Sequence, residues 1–179
     1  MLGPRHAVLT GAPGAGKTTL LEAAAAVGYR TSPEVARELL KSPGGMALRV
    51  GDPLGFAEAM AQAHAHEYEL HAGASDTVIF DRGLPDVVGF LDVSGLAVPQ
   101  AVERACHSLR YAGPVLRAPA WADIYVQDAE RIQTLDEAIA SDAAVTAAWK
   151  RYGYLVIDLP LASVAERIAF LRGQLQHAA

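Results

Sequence analysis

The stretch Gly11–Thr18, GAPGAGKT, decides the fold predicted for this chain. It matches the pattern G-x-x-x-x-G-K-[ST] in full. The residues before it, 6–10 (HAVLT), form a short apolar run that predicts a buried β-strand, and residues 17–27 have a helical pattern that Gly28 can end. A strand, a glycine-rich loop and a helix in this order are the context in which this motif binds phosphate groups.

The glycines of this loop allow left-handed backbone turns, so that successive N–H groups can point at a polyphosphate. Lys17 adds a positive charge for the β- and γ-phosphates, and Thr18 offers a hydroxyl to a Mg²⁺ ion that bridges them. The sequence therefore predicts ATP and Mg²⁺ as cofactors, against the simpler alternative of a glycine-rich turn with a solvated lysine. The predicted nucleotide-binding residues are Gly11, Ala12, Pro13, Gly14, Ala15, Gly16, Lys17, Thr18 and Thr19.

Outward from the loop, short apolar runs alternate with longer helical patterns, which is typical of an α/β domain with a parallel sheet. We predict a three-layer P-loop NTPase fold, with five parallel strands and helices on both faces, as a single domain over 1–179. The predicted strands are 6–10, 29–32, 77–81, 114–119 and 154–160, and the predicted later helices are 52–71, 85–93, 99–110, 134–151 and one that follows 163.

Local signals place the helix starts. Ser32-Pro33-Glu34 predicts a start with serine as the cap, and Asp52-Pro53 predicts another. Thr134 with Glu137, and Ser163 with Glu166, have the spacing of capping boxes. Residues 41–45 (KSPGG) predict a loop between the helix that starts at Ser32 and the helix that starts at Asp52.

Composition limits the function. The chain of 179 residues has 15 Lys and Arg against 20 Asp and Glu, a net charge of −5, which disfavours a nucleic-acid or membrane partner. The single cysteine, Cys106, excludes an internal disulfide and predicts a small buried residue. With no leader-like segment and no apolar run of about 18 residues, we expect a cytoplasmic protein, monomeric or homodimeric.

Two features narrow the class of P-loop protein. The chain has no asparagine, so the Asn-Lys-x-Asp segment expected of a guanine-specific GTPase is missing. Its length also leaves little room for the second helical domain of a ring-forming motor. A compact kinase-like domain or a stand-alone ATPase remains.

Three charged residues are expected at the carboxyl edge of the sheet. Asp81 ends the strand 77–81, where it can hold Mg²⁺ directly or through water. Arg82 follows and is interpreted as a clamp on phosphate or on another carboxylate, the alternative being a surface ion pair. Glu34 can accept the proton of an attacking hydroxyl, although a first-turn glutamate also suits the helix dipole. We predict Lys17, Asp81, Arg82 and Glu34 as catalytic and Thr18 and Asp81 as metal ligands.

A polar segment at about 121–133 is predicted to form a lid over ATP. Its Arg131 can neutralise charge on the transferred phosphoryl group, unless it only pairs with Asp128 on an exposed helical face. The histidines of the helix 52–71 do not match a zinc motif, because His64 and His66 face apart on a helix. We therefore predict a polar helix face or a pocket wall there rather than a metal site.

At this point the chain resembles a known family: small P-loop kinases of the AAA-domain, nucleoside/nucleotide-kinase-like group, related to the nicotinamide riboside kinase domain of the bacterial NAD regulator, with predicted ATPases beside them. The segments that resemble the family are LTGAPGAGKTTLLEAA (9–24), PEVARELL (33–40), DPLGFAEAM (52–60), VIFDRGLPDVVGFL (78–91) and YVQDAERIQT (125–134). The resemblance implies ATP and Mg²⁺ in the loop, a metal-side carboxylate at Asp81, an acceptor-side acid at Glu34 held by Arg82, and a lid arginine at Arg131.

The leading hypothesis is transfer of the γ-phosphate of ATP to a hydroxyl of a small molecule, such as a nucleoside-like compound. The alternatives are an ATP-hydrolysing switch that acts on a protein partner, and a degenerate nucleotide binder. The intact GKTT segment and Asp81 argue against the last.

Overall fold

The structure, a computed structural model, describes residues 6–125 and 134–177. Its centre is a five-stranded sheet in the order β2-β3-β1-β4-β5, in which every neighbouring pair is parallel. The strands are β1 (His6–Gly11), β2 (Arg30–Thr31), β3 (Val78–Asp81), β4 (Val115–Ala118) and β5 (Val156–Asp158). The predicted parallel sheet is confirmed, and each strand lies within or one residue beyond its predicted range.

Helices cover both faces of the sheet. They are α1 (Lys17–Ala26), α2 (Val35–Lys41), α3 (Gly45–Gly51), α4 (Pro53–His71), α5 (Leu84–Val93), α6 (Gln100–Ser108), α7 (Leu135–Arg151) and α8 (Val164–His177), with a 3₁₀ turn at Ala122–Ile124. Because side chains alternate along a strand, Leu9 packs with α1 and α8, whereas Val8 packs with Trp149 of α7. The predicted three-layer fold is confirmed.

Several of the predicted helix starts are confirmed in atomic detail. The Asp52 carboxylate accepts a hydrogen bond of 2.9 Å from the Gly55 N–H at the start of α4. At the start of α7, the Glu137 N–H donates to the Thr134 hydroxyl and the Thr134 N–H donates to the Glu137 carboxylate. Ser163 and Glu166 make the same pair of bonds at the start of α8. These short-range signals fix where each helix begins.

The start predicted at Ser32-Pro33-Glu34 is wrong by two residues. Helix α2 begins at Val35 with Glu34 as its cap. The Ser32 hydroxyl does not cap a helix, because it accepts a hydrogen bond of 3.0 Å from the Asp81 N–H and so ties β2 to the end of β3. A contact with a residue 49 positions away has overridden the local signal.

Helix α3 is absent from the sequence prediction, which places a loop at 41–45 and nothing before 52. Gly45 opens α3, directly after Gly44 in the left-handed conformation (φ 80°). A Cβ on Gly45 would collide with the carbonyl oxygen of Leu39, so the glycine allows α3 to approach α2 closely. Composition predicts a loop at these two glycines. In the structure, Gly44 forms the turn and Gly45 makes the close contact between the helices.

Two further features bear on the sequence predictions. Cys106 is 1% exposed within α6, as predicted for a small buried residue, and burial raises the pKa of its thiol to about 12. Within residues 6–125 and 134–177, the helices are all too short or too polar to cross a bilayer.

Candidate functional site

The glycine-rich loop lies between β1 and α1, at the carboxyl edge of the sheet. Gly11, Gly14 and Gly16 have φ values of 116°, 76° and 76°, which a residue with a side chain rarely adopts. A Cβ on Gly11 would also collide with the backbone of Ala118 on β4, to which the loop is bonded by the Ala12 N–H at 2.9 Å. The sheet therefore holds the loop in the shape that the motif predicts.

Lys17 begins α1 and is 7% exposed. Its ammonium donates hydrogen bonds to the carbonyl oxygens of Ala12 and Gly11, within its own loop. The pKa of Lys17 is lowered to about 7, chiefly by burial and also by the neighbouring Arg82, while Asp81 and Glu34 oppose the shift. The hydroxyl-bearing residues that follow, Thr18 and Thr19, are exposed.

Arg82 has a left-handed backbone (φ 68°) that is unusual for arginine. Its guanidinium Nη1 donates to the Gly11 carbonyl at 3.1 Å and to Asp86 Oδ1 at 2.9 Å, and its Nε lies 3.7 Å from Glu34 Oε1. Strain of this kind persists only where surrounding contacts hold it. Arg82 thereby joins the glycine-rich loop, the start of α5 and the cap of α2.

Asp81 ends β3 and is 5% exposed. Its Oδ1 is fully buried and has no hydrogen-bond partner. The pKa of Asp81 is raised to about 6, chiefly by burial and also by the nearby Glu34, while Arg82 and Lys17 act against the shift. A buried carboxylate oxygen without a partner, on the loop side of the sheet, fits a ligand of a hard cation such as Mg²⁺.

Among the described residues, the site included, no group of three histidine, cysteine, aspartate or glutamate side chains is arranged to hold a metal ion. The donor set that fits Mg²⁺ is thus Asp81 together with the exposed Thr18 hydroxyl and the phosphates themselves.

Sequence reasoning missed Asp86, which organises the site. Its carboxylate accepts hydrogen bonds from the Thr10 hydroxyl at 2.6 Å, the Gly83 N–H at 3.0 Å and the Trp149 indole N–H at 2.9 Å, besides the bond from Arg82. It is 6% exposed. Two local signals could have pointed to it: its position four residues after Arg82, and its place three residues after Gly83, where its carboxylate caps the start of α5.

The structure brings together four of the predicted catalytic residues, Lys17, Glu34, Asp81 and Arg82, at one edge of the sheet. The fifth, Arg131, lies outside the described residues, as does Asp128. Of the predicted lid only 121–125 is described, where the Trp121 indole N–H donates to Asp123 at 3.2 Å.

His64 and His66 of α4 face apart, as predicted. His66 is exposed, whereas His64 is 3% exposed and lies near Asp86, Arg82 and Glu34. Burial lowers the pKa of His64 to about 4, so the imidazole stays neutral where an exposed histidine would begin to charge.

His64 should make the protein's stability depend on pH. Between about pH 6.5 and 4, this histidine binds a proton in the unfolded chain but not in the folded protein. The free energy of unfolding therefore falls as the pH falls, by up to about 3 kcal/mol. Asp81 acts in the opposite direction, because its raised pKa lets the folded state bind the extra proton.

We expect His64→Gln to remove the histidine contribution, measured as the variant-minus-wild-type difference in urea unfolding at several pH values. His66→Gln is the control, and equal pH slopes for His64→Gln and wild type would contradict the assignment.

A surface cavity of about 250 Å³ lies between α2 and α4. It is lined by Val35, Glu38, Leu39, Ser42, Ala63, His66 and Glu67. Neither Glu34 nor Arg82 belongs to this lining, although Val35, the residue after Glu34, does.

Comparisons with known proteins agree with this description. A protein-family model described as an AAA domain matches residues 6–167. No curated protein matches the sequence. A structure of deoxyadenosine kinase from M. mycoides, with products dCMP and a flexible dCDP bound, is similar at a TM-score of 0.70 and 15% identity, over 96% of this chain and 99% of that one. A structure of NadR protein in complex with NR is similar at a TM-score of 0.71 and 14% identity, over 97% of this chain and 51% of that one. The predicted kinase-like fold is confirmed.

Proposed function

Because the chain belongs to this family of AAA domains and has the fold of P-loop kinases, we propose that it transfers the γ-phosphate of ATP to a hydroxyl of a small molecule. Residues 1–179 would act as one domain. Nucleoside-like compounds are the first acceptors to test, because one structural neighbour named above is a deoxyadenosine kinase and the other is NadR bound to NR.

One observation supports transfer over simple hydrolysis. Arg82 contacts the loop carbonyl of Gly11 with one nitrogen and lies 3.7 Å from the Glu34 carboxylate with another. The Glu34 side chain is 28% exposed, so it is held beside the phosphate-binding loop and still open to an incoming molecule. A partly exposed carboxylate in this place is what an acceptor hydroxyl needs.

In the proposed reaction, the backbone N–H groups of the loop and the Lys17 ammonium hold the triphosphate. Glu34 accepts the proton of the acceptor hydroxyl as its oxygen bonds to the γ-phosphorus, and the bond from that phosphorus to the β–γ bridging oxygen breaks to release ADP. Arg82 orients Glu34 and offsets the negative charge of the transferred group. Arg131 stays a predicted lid residue.

Mg²⁺, held by Thr18 and Asp81, would neutralise charge on the β- and γ-phosphates. Binding of a cation would keep Asp81 ionised near neutral pH against the burial that raises its pKa to about 6. Asp81 must be ionised to act as a ligand, so its raised pKa should weaken Mg²⁺ binding as the pH falls toward about 6 and below.

The rival proposal is an ATP-hydrolysing switch that acts on a protein partner. It also needs Lys17 and Asp81, but it gives Glu34 no acceptor hydroxyl to deprotonate. The two proposals separate in a screen of ATP consumption with nucleosides, vitamins, sugars and other hydroxyl compounds. Acceptor-dependent ADP release with a phosphorylated product supports transfer, and acceptor-independent hydrolysis supports the switch.

Glu34→Gln should stop turnover while ATP still binds. Loss of a general base lowers kcat by about 10²–10⁴-fold, and the amide cannot take the proton. ATP affinity, measured by calorimetry, should stay within a factor of about three, because the contact of Glu34 is with Arg82, which in turn donates to the loop carbonyl of Gly11. Glu38→Gln, an exposed neighbour on the same helix, is the matched control. Wild-type turnover in Glu34→Gln would remove the glutamate from the mechanism.

A further inference from the structure

Arg167, near the start of α8, lies buried against the glycine-rich loop. It is 3% exposed, and its Nη1 donates a hydrogen bond of 3.0 Å to the carbonyl oxygen of Ala15. A Cβ placed on Gly16 would lie 2.9 Å from the same Nη1. The C-terminal helix thus places a guanidinium directly on the part of the loop that precedes Lys17.

The charge of Arg167 is not compensated within the described part of the chain. No carboxylate there lies within ion-pair distance of it, and its Nε is buried without a hydrogen-bond partner. The contrast is with Arg82, paired with Asp86 and Glu34, and with Arg117, paired with Asp142. Burying a cation without an anion is unfavourable, so proteins usually pair such groups or use them on a ligand.

The fold separates Arg167 from the proposed acceptor side. Helix α8 packs with α1 on one face and follows β5, which lies beyond β4 in the sheet. Glu34 and Arg82 follow β2 and β3, on the other side of β1. Arg167 is therefore positioned to act on what the loop holds, not on an acceptor beside Glu34.

We propose that Arg167 is part of the nucleotide site, and that the polyphosphate of a nucleoside triphosphate neutralises its buried charge. The free protein bears the cost of the unpaired guanidinium, and binding of the anion relieves it. The bond to Ala15 also holds the loop with its N–H groups toward the ligand. This inference rests on the proposed function only for ATP binding, and it does not depend on phosphoryl transfer.

The test measures binding of ATP, inorganic tripolyphosphate and adenosine by calorimetry at one fixed salt concentration, with the melting temperature of each free variant. Arg167→Met should bind ATP and tripolyphosphate at least about tenfold more weakly, or about 1.4 kcal/mol, with adenosine binding unchanged. Its free form should melt no lower than wild type, because methionine keeps the apolar stem and removes the unpaired charge. Arg172→Met, an exposed arginine on the same helix, is the control.

Two more variants keep the result decisive if Arg167→Met folds poorly. Arg167→Lys retains the charge and should retain most of the affinity, whereas Arg167→Gln retains a donor for Ala15 without the charge and should lose it. Unchanged ATP binding in Arg167→Gln, or a lower melting temperature with equal losses for adenosine and tripolyphosphate, would show a merely structural brace and overturn the inference. A wild type that binds no ATP overturns both proposals, and one that binds ATP without transferring phosphate overturns only the transfer.

Discussion

Lys17→Met is expected to reduce phosphoryl transfer by on the order of a thousandfold or more, because the variant lacks the charge that opposes the negative charge of the transferred group. The free protein should stay folded. Within the described residues, the Lys17 ammonium donates hydrogen bonds to the carbonyl oxygens of Gly11 and Ala12 alone. Methionine keeps the buried apolar stem, so the free energy of unfolding should change by about 1 kcal/mol or less. Acceptor-dependent ADP release and urea unfolding measure the two quantities, and Lys17→Ala serves as a blank.

The lowered pKa of Lys17 gives this variant a second readout. At about pH 8, above the value of about 7 set by burial, most free protein has a neutral lysine, and a bound triphosphate would favour the ammonium. Wild-type protein should therefore take up close to one proton per ATP, measured by calorimetry in buffers of different ionisation enthalpy. Lys17→Met should take up none, and Lys150→Met, an exposed lysine on α7, should behave as wild type. Equal uptake by wild type and Lys17→Met would mean that the proton binds elsewhere.

The parts of the fold that the sequence predicted are those specified by neighbouring residues. The capping pair Thr134 and Glu137 and the apolar run of β3 need only a few positions to be recognised. The sequence does not predict helix α3, because Gly45 is required by a tertiary contact, its close approach to Leu39. Composition cannot reveal such a contact. Ser32 shows the same effect, since its partner on β3 is far away in the sequence.

The candidate site divides along the same line. The loop motif is one continuous stretch of sequence, and Asp81 and Arg82 are adjacent residues. The sequence alone is therefore enough to predict each of them. Asp86 collects donors from positions 10, 83 and 149 that meet only when β1, α5 and α7 pack together. Arg167 reaches Ala15 across 152 residues of sequence. Without an established fold, neither residue differs from an ordinary helix charge.

Asp86→Ala should destabilise the protein by about 3–5 kcal/mol, the usual cost of removing one partner of a buried ion pair. The variant leaves the Arg82 guanidinium without its closest carboxylate, and the hydroxyl of Thr10 and the indole N–H of Trp149 without acceptors. At this chain length the loss corresponds to a melting temperature lower by roughly 10 °C or more. Urea and thermal unfolding, analysed together, measure it.

Asp92→Ala is the matched control, because Asp92 lies on the same helix and also pairs with an arginine, Arg151, at 2.8 Å. Those side chains are 31% and 48% exposed, so the loss there should stay below about 1 kcal/mol. The double variant Arg82→Met/Asp86→Leu should regain part of the stability lost in Asp86→Ala, since it removes both buried charges together, but it should not regain turnover. A loss in Asp86→Ala no larger than in Asp92→Ala would mean that the bonds to Asp86 do not hold Arg82 in its left-handed conformation.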